Sequence, residues 1–115
     1  MAPPSKLGVQ ASALQRLVKE EASYHKELEQ QESRITKLQS NPGEDNADYL
    51  LKQERQALEE TKKVLPTVRE KIEQTLEQLE EELENNKDGG AASPEEVTKA
   101  QDAIAAGKKA LAQSA

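Results

Sequence analysis

The chain has 115 residues, with 22 acidic against 16 basic side chains and a net charge of −6. This length predicts a single domain, and the acidic balance offers no basic face of the kind that binds nucleic acid or an anionic membrane surface. There is no cysteine for a disulfide or a thiolate metal site, and two tyrosines are the only aromatic residues. Any core is therefore expected to be thin and built from Leu, Ile, Val and Ala, as in proteins made of long helices.

Signals for export or membrane insertion are also missing. The first five residues have no apolar run behind a basic segment, which argues against a secretory signal. No stretch approaches the roughly 18 to 20 apolar residues that span a bilayer. We therefore expect a cytosolic protein.

Large side chains recur at steps of three and four in the first part of the chain. The positions are Leu14, Leu17, Glu21, Tyr24, Leu28, Gln31, Ile35 and Leu38. All but the glutamate and the glutamine are at least partly apolar, which is typical of a heptad seam on one helix. This pattern predicts a helix over about residues 9–40, followed by a type II turn with Pro42 and Gly43 at its centre.

A second predicted helix, over about residues 46–87, carries an apolar residue at every seventh position. The repeat consists of Leu51, Leu58, Leu65, Ile72 and Leu79, widened early by Leu50, Ala57 and Val64 and later, on the other side, by Leu76 and Leu83. The apolar face therefore rotates, as expected if one end of the helix packs between two partners. Asn46 is the expected N-cap, and Pro66, which has no backbone N–H, is expected to kink the helix without ending it.

The segment Ser93-Pro94-Glu95-Glu96 predicts the start of a third helix, over about residues 94–113. Serine is the expected N-cap, proline takes the first helical position, and a glutamate follows three residues after the cap. Its apolar stripe consists of Val97, Ala100, Ile104 and Leu111, and Gly107 is expected to weaken it. Short connections imply antiparallel neighbours, so we predict an all-α, up-down-up three-helix bundle with coiled-coil-like packing and a single domain over residues 1–115.

No constellation of side chains predicts catalysis. His25 is the only histidine, and without a cysteine or a second histidine it makes a poor general base or metal ligand. The serines and threonines have no histidine set against them, and no glycine-rich phosphate loop is present. We therefore expect a protein that is not an enzyme and that has no cofactor or metal site.

Two surface features admit both a structural and a functional interpretation. The second helix ends in glutamates with no basic residue between them: Glu73, Glu77, Glu80, Glu81, Glu82 and Glu84. The structural interpretation is a solvated face that aids solubility, and the functional interpretation is a docking face for a basic surface. Tyr24 is expected to be half-buried in the seam, whereas Tyr49 is expected to be exposed and is a possible interface anchor.

Several short stretches occur in a familiar order and spacing. In the first helix they are Arg16-Leu17-Val18-Lys19-Glu20, Tyr24, Lys26-Glu27, Gln30-Gln31-Glu32 and Ile35. After the turn they are Gly43-Glu44, Asn46, Tyr49, Lys52-Gln53, Leu58, Glu60, Leu65-Pro66 and Leu83-Glu84-Asn85. Together they resemble the tubulin-binding cofactor A (tubulin-specific chaperone A) family, although residues 86–97 and the alanine-rich tail fit less well.

This resemblance implies a cytoplasmic, cytoskeleton-associated three-helix chaperone without cofactors. Such a protein binds and holds β-tubulin after release from the chaperonin and before heterodimer assembly, with no nucleotide and no metal. The residues themselves leave open an alternative, a structural coiled-coil or scaffold protein that pairs with itself or with another long helix. The interruption at Pro66 and the rotating stripe favour an intramolecular bundle. A monomer and a homodimer are both compatible with the sequence.

A partner is expected to contact the polar flanks of the helices, because the apolar stripes face each other in a bundle. The predicted protein-binding residues are Arg16, Lys19 and Glu20 on the first helix and Tyr49, Lys52, Arg55 and Glu59 on the second. Charged contacts of this kind are individually weak, so the affinity is expected to come from many of them.

Overall fold

In a computed structural model the chain forms three α-helices: α1 (Lys6–Ser40), α2 (Ala47–Asn86) and α3 (Pro94–Gln113). The structure describes residues 5–41, 43, 45–87 and 90–113, and these residues contain no β-strand. The predicted all-α, three-helix fold is confirmed. α2 continues through Pro66 as one helix, while the kink at that residue stays a prediction. Pro42, at the centre of the predicted turn, lies outside the described residues.

The start of α1 lies earlier than predicted because Ser5 caps it. The Ser5 hydroxyl accepts a hydrogen bond from the backbone N–H of Gly8 at 3.1 Å, and its carbonyl accepts one from the N–H of Val9 at 3.0 Å. A serine that satisfies the free N–H groups of a first turn stabilises a helix start by about 1 kcal/mol. The helix therefore begins at Lys6 rather than near residue 9.

Asn46 takes the cap position before α2, as predicted, but in an unusual backbone conformation. Its carbonyl accepts the hydrogen bond from the N–H of Leu50 at 2.9 Å. Its φ angle is 64°, in the left-handed region, where asparagine is better tolerated than most residues other than glycine.

The chain divides into two compact units, and α1 and α2 contribute to both. Unit 1 comprises Met1–Glu21 and Val68–Ala115, and unit 2 comprises Ala22–Thr67. Unit 1 therefore contains all of α3 together with the beginning of α1 and the end of α2. Unit 2 contains only α1 and α2.

Unit 1 holds most of the buried apolar side chains. They are Leu7, Ala11 and Leu14 of α1, Val68, Ile72, Leu76 and Leu79 of α2, and Ala100, Ala103 and Ala110 of α3. Leu7, Leu14, Ile72 and Leu79 are the largest side chains that are fully buried. Leu76 is thus buried beside the heptad positions, on the side to which the apolar face of α2 was predicted to rotate.

The buried stripe of α3 differs from the predicted one. Ala100, Ala103, Gly107 and Ala110 are buried, whereas Val97, Ile104 and Leu111 are only half-buried. A Cβ atom at Gly107 would lie 3.4 Å from both terminal methyl groups of Leu14. Gly107 is therefore one of the buried positions of the stripe. Small residues let α3 approach closely, and the leucines of the other two helices fill the space.

Unit 2 is a two-helix structure with a thinner core. The predicted α1 seam is confirmed here, since Tyr24, Leu28, Ile35 and Leu38 are half-buried and Gln31 is buried. On α2, Leu65 is buried and Leu58 is half-buried. Leu50 and Val64, which were predicted to widen the apolar stripe, are exposed. In unit 2 only α1 packs against α2, and a single helix is too narrow to cover the widened apolar stripe. Leu50 and Val64 therefore stay exposed.

Candidate functional site

The seven predicted protein-binding residues are all exposed. They fall into two groups, one in each compact unit. Arg16, Lys19 and Glu20 belong to the α1 portion of unit 1, and Tyr49, Lys52, Arg55 and Glu59 belong to the α2 portion of unit 2.

In unit 2, three of the four predicted residues share one open recess along α2. Lys52, Arg55 and Glu59 line a volume of about 750 Å³ together with Asp48, Leu51, Gln56, Glu60 and Lys63. Steps of three and four along the helix place these residues on one face. Three carboxylates and three cations line the recess together with the half-buried Leu51, so it offers contacts to a partner of mixed charge.

Tyr49 is exposed, as predicted, but does not line this recess. Its side chain is among the most accessible large ones, with 62% of the residue exposed. The phenolic oxygen accepts a hydrogen bond from Nε2 of Gln53 at 2.9 Å, which orients the ring. The adjacent Leu50 is also exposed, so the start of α2 carries one exposed aromatic and one exposed aliphatic side chain.

In unit 1, Arg16 lines a smaller recess between α1 and α3. Its volume is about 410 Å³, and its other lining residues are Gly8, Val9, Ser12, Glu96 and Lys99. The ammonium group of Lys99 donates a hydrogen bond to the Ser12 hydroxyl at 2.5 Å. Val9 is 52% exposed. Lys19 and Glu20 do not line this recess.

Glu96 joins the start of α3 to the start of α1. Its Oε2 accepts hydrogen bonds from the backbone N–H and the hydroxyl of Ser5, both at 2.9 Å. Its Oε1 accepts the N–H of Ser93 at 3.1 Å, and the Ser93 hydroxyl accepts the N–H of Glu96 at 3.2 Å. This confirms the capping box predicted from the sequence. The backbone N–H of Ser93, followed by the N–H and hydroxyl of Ser5, holds the pKa of Glu96 below its ordinary value of 4.5.

A second polar junction in unit 1 was not predicted. Nη1 of Arg69 donates to Oε2 of Glu21 at 2.6 Å and to the carbonyl of Ala110 at 3.2 Å, and Nη2 donates to the carbonyl of Leu111 at 2.7 Å. Arg69 thereby donates to two carbonyls in the last turn of α3, the part of a helix where backbone carbonyls need partners from outside it. Glu21 occupied an apolar seam position in the sequence, and that mismatch was the signal for a buried partner.

Half of the acidic run on α2 forms ion pairs. Glu80 lies 3.4 Å from Lys108, Glu82 lies 3.6 Å from Lys6, and Glu84 lies 3.1 Å from Lys87. Lys108 belongs to α3 and Lys6 to α1, so these two pairs could not be predicted from the sequence of α2 alone. For these three glutamates the pairs favour a structural interpretation over a docking face.

Two further findings concern metal-binding groups and membrane-spanning helices in the described part of the chain. Within residues 5–41, 43, 45–87 and 90–113, no three His, Cys, Asp or Glu side chains are grouped so that they can hold a metal ion. None of the helices described there combines the length and the apolar character that crossing a membrane requires.

Comparison with known proteins gives a consistent set of relatives. The family described as "Tubulin binding cofactor A" matches residues 2–104. "Tubulin-specific chaperone A" of Saccharomyces cerevisiae is 36% identical over 108 residues, covering 94% of this chain and 95% of that protein. The protein of the same description from Homo sapiens is 34% identical over 80 residues, covering 70% of this chain and 71% of its own length.

A solved structure shows the same fold. It is described as "Rbl2p, beta-tubulin binding post-chaperonin cofactor" and superposes with a TM-score of 0.77 at 34% sequence identity. The match covers 95% of this chain and 100% of the other.

Proposed function

This chain belongs to the tubulin binding cofactor A family, and on that premise we propose that it binds β-tubulin and holds it after chaperonin release and before heterodimer assembly. The observation that carries the proposal is the likeness, in fold and in sequence over almost the whole chain, to a protein described as a β-tubulin-binding post-chaperonin cofactor. A cytosolic location and a lack of catalytic activity belong to the same proposal.

The proposed mechanism is binding by mass action. A protein that favours one conformational state of its client shifts the client toward that state by the difference in binding free energy alone. No ATP or GTP is needed for such a shift. Exposed charged side chains suit a reversible hold, because the contacts of the next partner can replace theirs one at a time.

We propose that the client contacts both exposed groups, Arg16, Lys19 and Glu20 in unit 1 and Tyr49, Lys52, Arg55 and Glu59 in unit 2. Their exposure supports this assignment. In unit 2 the clustering of three of them in one recess supports it further. Tyr49 is the residue best suited to be an anchor, because tyrosine buries a large ring at a low cost in side-chain entropy.

The first experiment tests the client. The purified chain is mixed with chaperonin-released β-tubulin in buffer without nucleotide, and the mixture is run on a native gel. We expect a stoichiometric complex that forms equally well without and with GTP. If no complex appears, or if actin is captured as well as β-tubulin, the proposed client is wrong.

The second experiment tests the surface. One triple variant carries Arg16→Ala, Lys19→Ala and Glu20→Ala, and the other carries Lys52→Ala, Arg55→Ala and Glu59→Ala. The control carries Lys71→Ala, Lys109→Ala and Glu70→Ala, three exposed residues of the same charge types outside both groups and outside the acidic run. At about 0.2–1 kcal/mol for each exposed contact, either test triple is expected to weaken binding by roughly threefold to a hundredfold. Unchanged binding by both test triples, with native helicity, would discard the assigned surface.

Sedimentation separates this proposal from the scaffold alternative. A client-holding chaperone is expected to sediment as a monomer or a homodimer. An elongated tetrameric or filamentous species would instead favour a coiled-coil scaffold whose helices pair between chains.

A further inference from the structure

We propose that the unit 1 recess lined by Gly8, Val9, Ser12, Arg16, Glu96 and Lys99 is a docking site for an acidic peptide segment of a partner protein. This inference concerns the chemistry that the recess recognises, and it goes beyond the identity of the client. The recess combines two cations, one carboxylate and one exposed apolar side chain.

Both cations line the same recess, Arg16 from α1 and Lys99 from α3. Within the described part of the chain, neither Arg16 nor Lys99 has a carboxylate partner, and the Lys99 ammonium donates its hydrogen bond to the neutral hydroxyl of Ser12. Both positive charges are therefore available to an incoming anion.

The single carboxylate in the lining does not compete for these cations. Both oxygens of Glu96 already accept hydrogen bonds, from the N–H and hydroxyl of Ser5 and from the N–H of Ser93. Its charge is directed at the starts of α1 and α3. Since charge-assisted bonds to N–H groups hold a carboxylate firmly, Glu96 is expected to remain there when a ligand enters.

The exposed Val9 favours a peptide over a small anion as the ligand of this recess. A free phosphate or carboxylate would use the cations but would gain nothing from an apolar side chain that is half in water. A peptide in which an aliphatic residue stands next to glutamates or aspartates would contact all three groups. The volume of about 410 Å³ accommodates a few side chains rather than a folded domain.

The test uses a fluorescein-labelled peptide with three glutamates on each side of one leucine. Its control has glutamine in place of every glutamate, and binding is followed by fluorescence anisotropy at low ionic strength. We expect the acidic peptide to bind, its affinity to fall as salt is added, and the glutamine peptide not to bind. A glutamine peptide or a polylysine peptide that binds as well as the acidic peptide would overturn the proposal.

Variants locate the site. Arg16→Ala with Lys99→Ala is expected to raise the Kd by about tenfold, from two lost charged contacts. The control pair, Lys71→Ala with Lys109→Ala, changes the net charge by the same amount at exposed positions outside the lining and is expected to bind as the unchanged chain does. Val9→Ser is expected to weaken the leucine-containing peptide while leaving an all-glutamate peptide unaffected.

Circular dichroism confirms that each variant keeps its helices. Equal loss of binding in the two double variants would show a non-specific charge effect and would overturn the site. So would retention of full affinity by the folded Arg16→Ala, Lys99→Ala variant. Because the ligand is a synthetic peptide, failure of this test leaves the proposal about β-tubulin untouched, and failure of the β-tubulin test leaves this one untouched.

Discussion

The guanidinium of Arg69 and the carboxylate of Glu21 lie 2.6 Å apart, with side chains only 24% and 5% exposed. The same guanidinium also binds the carbonyls of Ala110 and Leu111 near the end of α3. One side chain of α2 thereby connects to both other helices of unit 1. Removing one partner of such a buried ion pair strongly lowers the stability of the fold, because the remaining charge is poorly solvated.

Replacing Arg69 by alanine is therefore expected to lower the free energy of unfolding by about 3 kcal/mol. Urea denaturation followed by circular dichroism measures the change. Arg34→Ala is the control, because Arg34 pairs with Glu54 at 3.0 Å but is half exposed. Its loss is expected to cost less than about 1 kcal/mol. Similar losses in the two variants would show that the Arg69 junction contributes no more than a surface pair.

The hydrogen bonds to Glu96 predict a specific pH dependence. Because its pKa is lowered in the folded state, the carboxylate stabilises the fold above its ordinary value of 4.5, and this contribution is lost as the pH falls through the lowered pKa. Glu96→Gln is expected to be less stable than the unchanged chain at pH 7. The gap between the two should close in acid.

Urea midpoints measured between pH 3 and pH 7 follow that gap. Glu95→Gln is the matched control, since Glu95 is an exposed neighbour in the same turn of α3. It is expected to behave as the unchanged chain does over the whole range. A Glu96→Gln deficit that stays constant from pH 7 to pH 3 would contradict the assigned role of the carboxylate.

Two glycines inside α1 and α3 are expected to respond to alanine in opposite directions. At Gly107 an added Cβ meets the Leu14 methyl groups at an ordinary contact distance of 3.4 Å. Gly107→Ala is therefore expected to raise the free energy of unfolding by about 0.5–1 kcal/mol, because alanine favours the helix and glycine does not. Gly107→Val, which adds two more methyl groups against the leucines, is expected to destabilise the fold.

At Gly8 the added Cβ would overlap Oε2 of Glu96. Gly8→Ala is therefore expected to push the carboxylate away from Ser5 and to destabilise the chain despite the better helix propensity of alanine. In the Glu96→Ala background the same substitution should become favourable. Urea denaturation of the four chains gives the coupling between the two positions. A coupling of zero would show that the two residues do not constrain each other.

The proposal that residues 1–115 form a single domain can be tested with the protein's own fluorescence. Both tyrosines, Tyr24 and Tyr49, lie in unit 2, and there is no tryptophan. Tyrosine emission therefore reports on unit 2 alone, whereas far-ultraviolet circular dichroism reports on all three helices. For a single cooperative domain the two urea transitions coincide. If the fluorescence transition precedes the other, unit 2 unfolds by itself.

The helices were predictable from the sequence because each carries its own local signals. The heptad seam of α1 and the Ser93–Glu96 capping box of α3 both concern neighbours along the chain. The seam pointed to the burial of Glu21 and Gln31 but could not name a partner for either. Arg69 is separated from Glu21 by 48 positions, and no local pattern connects them.

The candidate surfaces were only partly predictable for a similar reason. Exposure follows from position on a helix, and all seven residues are exposed to solvent as expected. Membership of a recess depends on which neighbours are close in space. Arg16 shares its recess with Lys99, and that proximity arises only when α3 packs beside α1. The burial of Ala103, Gly107 and Ala110 was likewise not predicted, because close helix approach depends on the leucines opposite them.

The discontinuous make-up of unit 1 has a consequence for the newborn chain. Ser5 and Glu96 are 91 positions apart, so their hydrogen bonds cannot form until α3 has left the ribosome. At about 5–20 residues per second, the stretch from residue 68 to residue 113 takes a few seconds to synthesise. During that interval Leu7 and Leu14 lack the helices that bury them. Unit 2, whose helices follow each other directly, is expected to form first. The beginning of α1 stays exposed until the end of α2 and α3 have been synthesised.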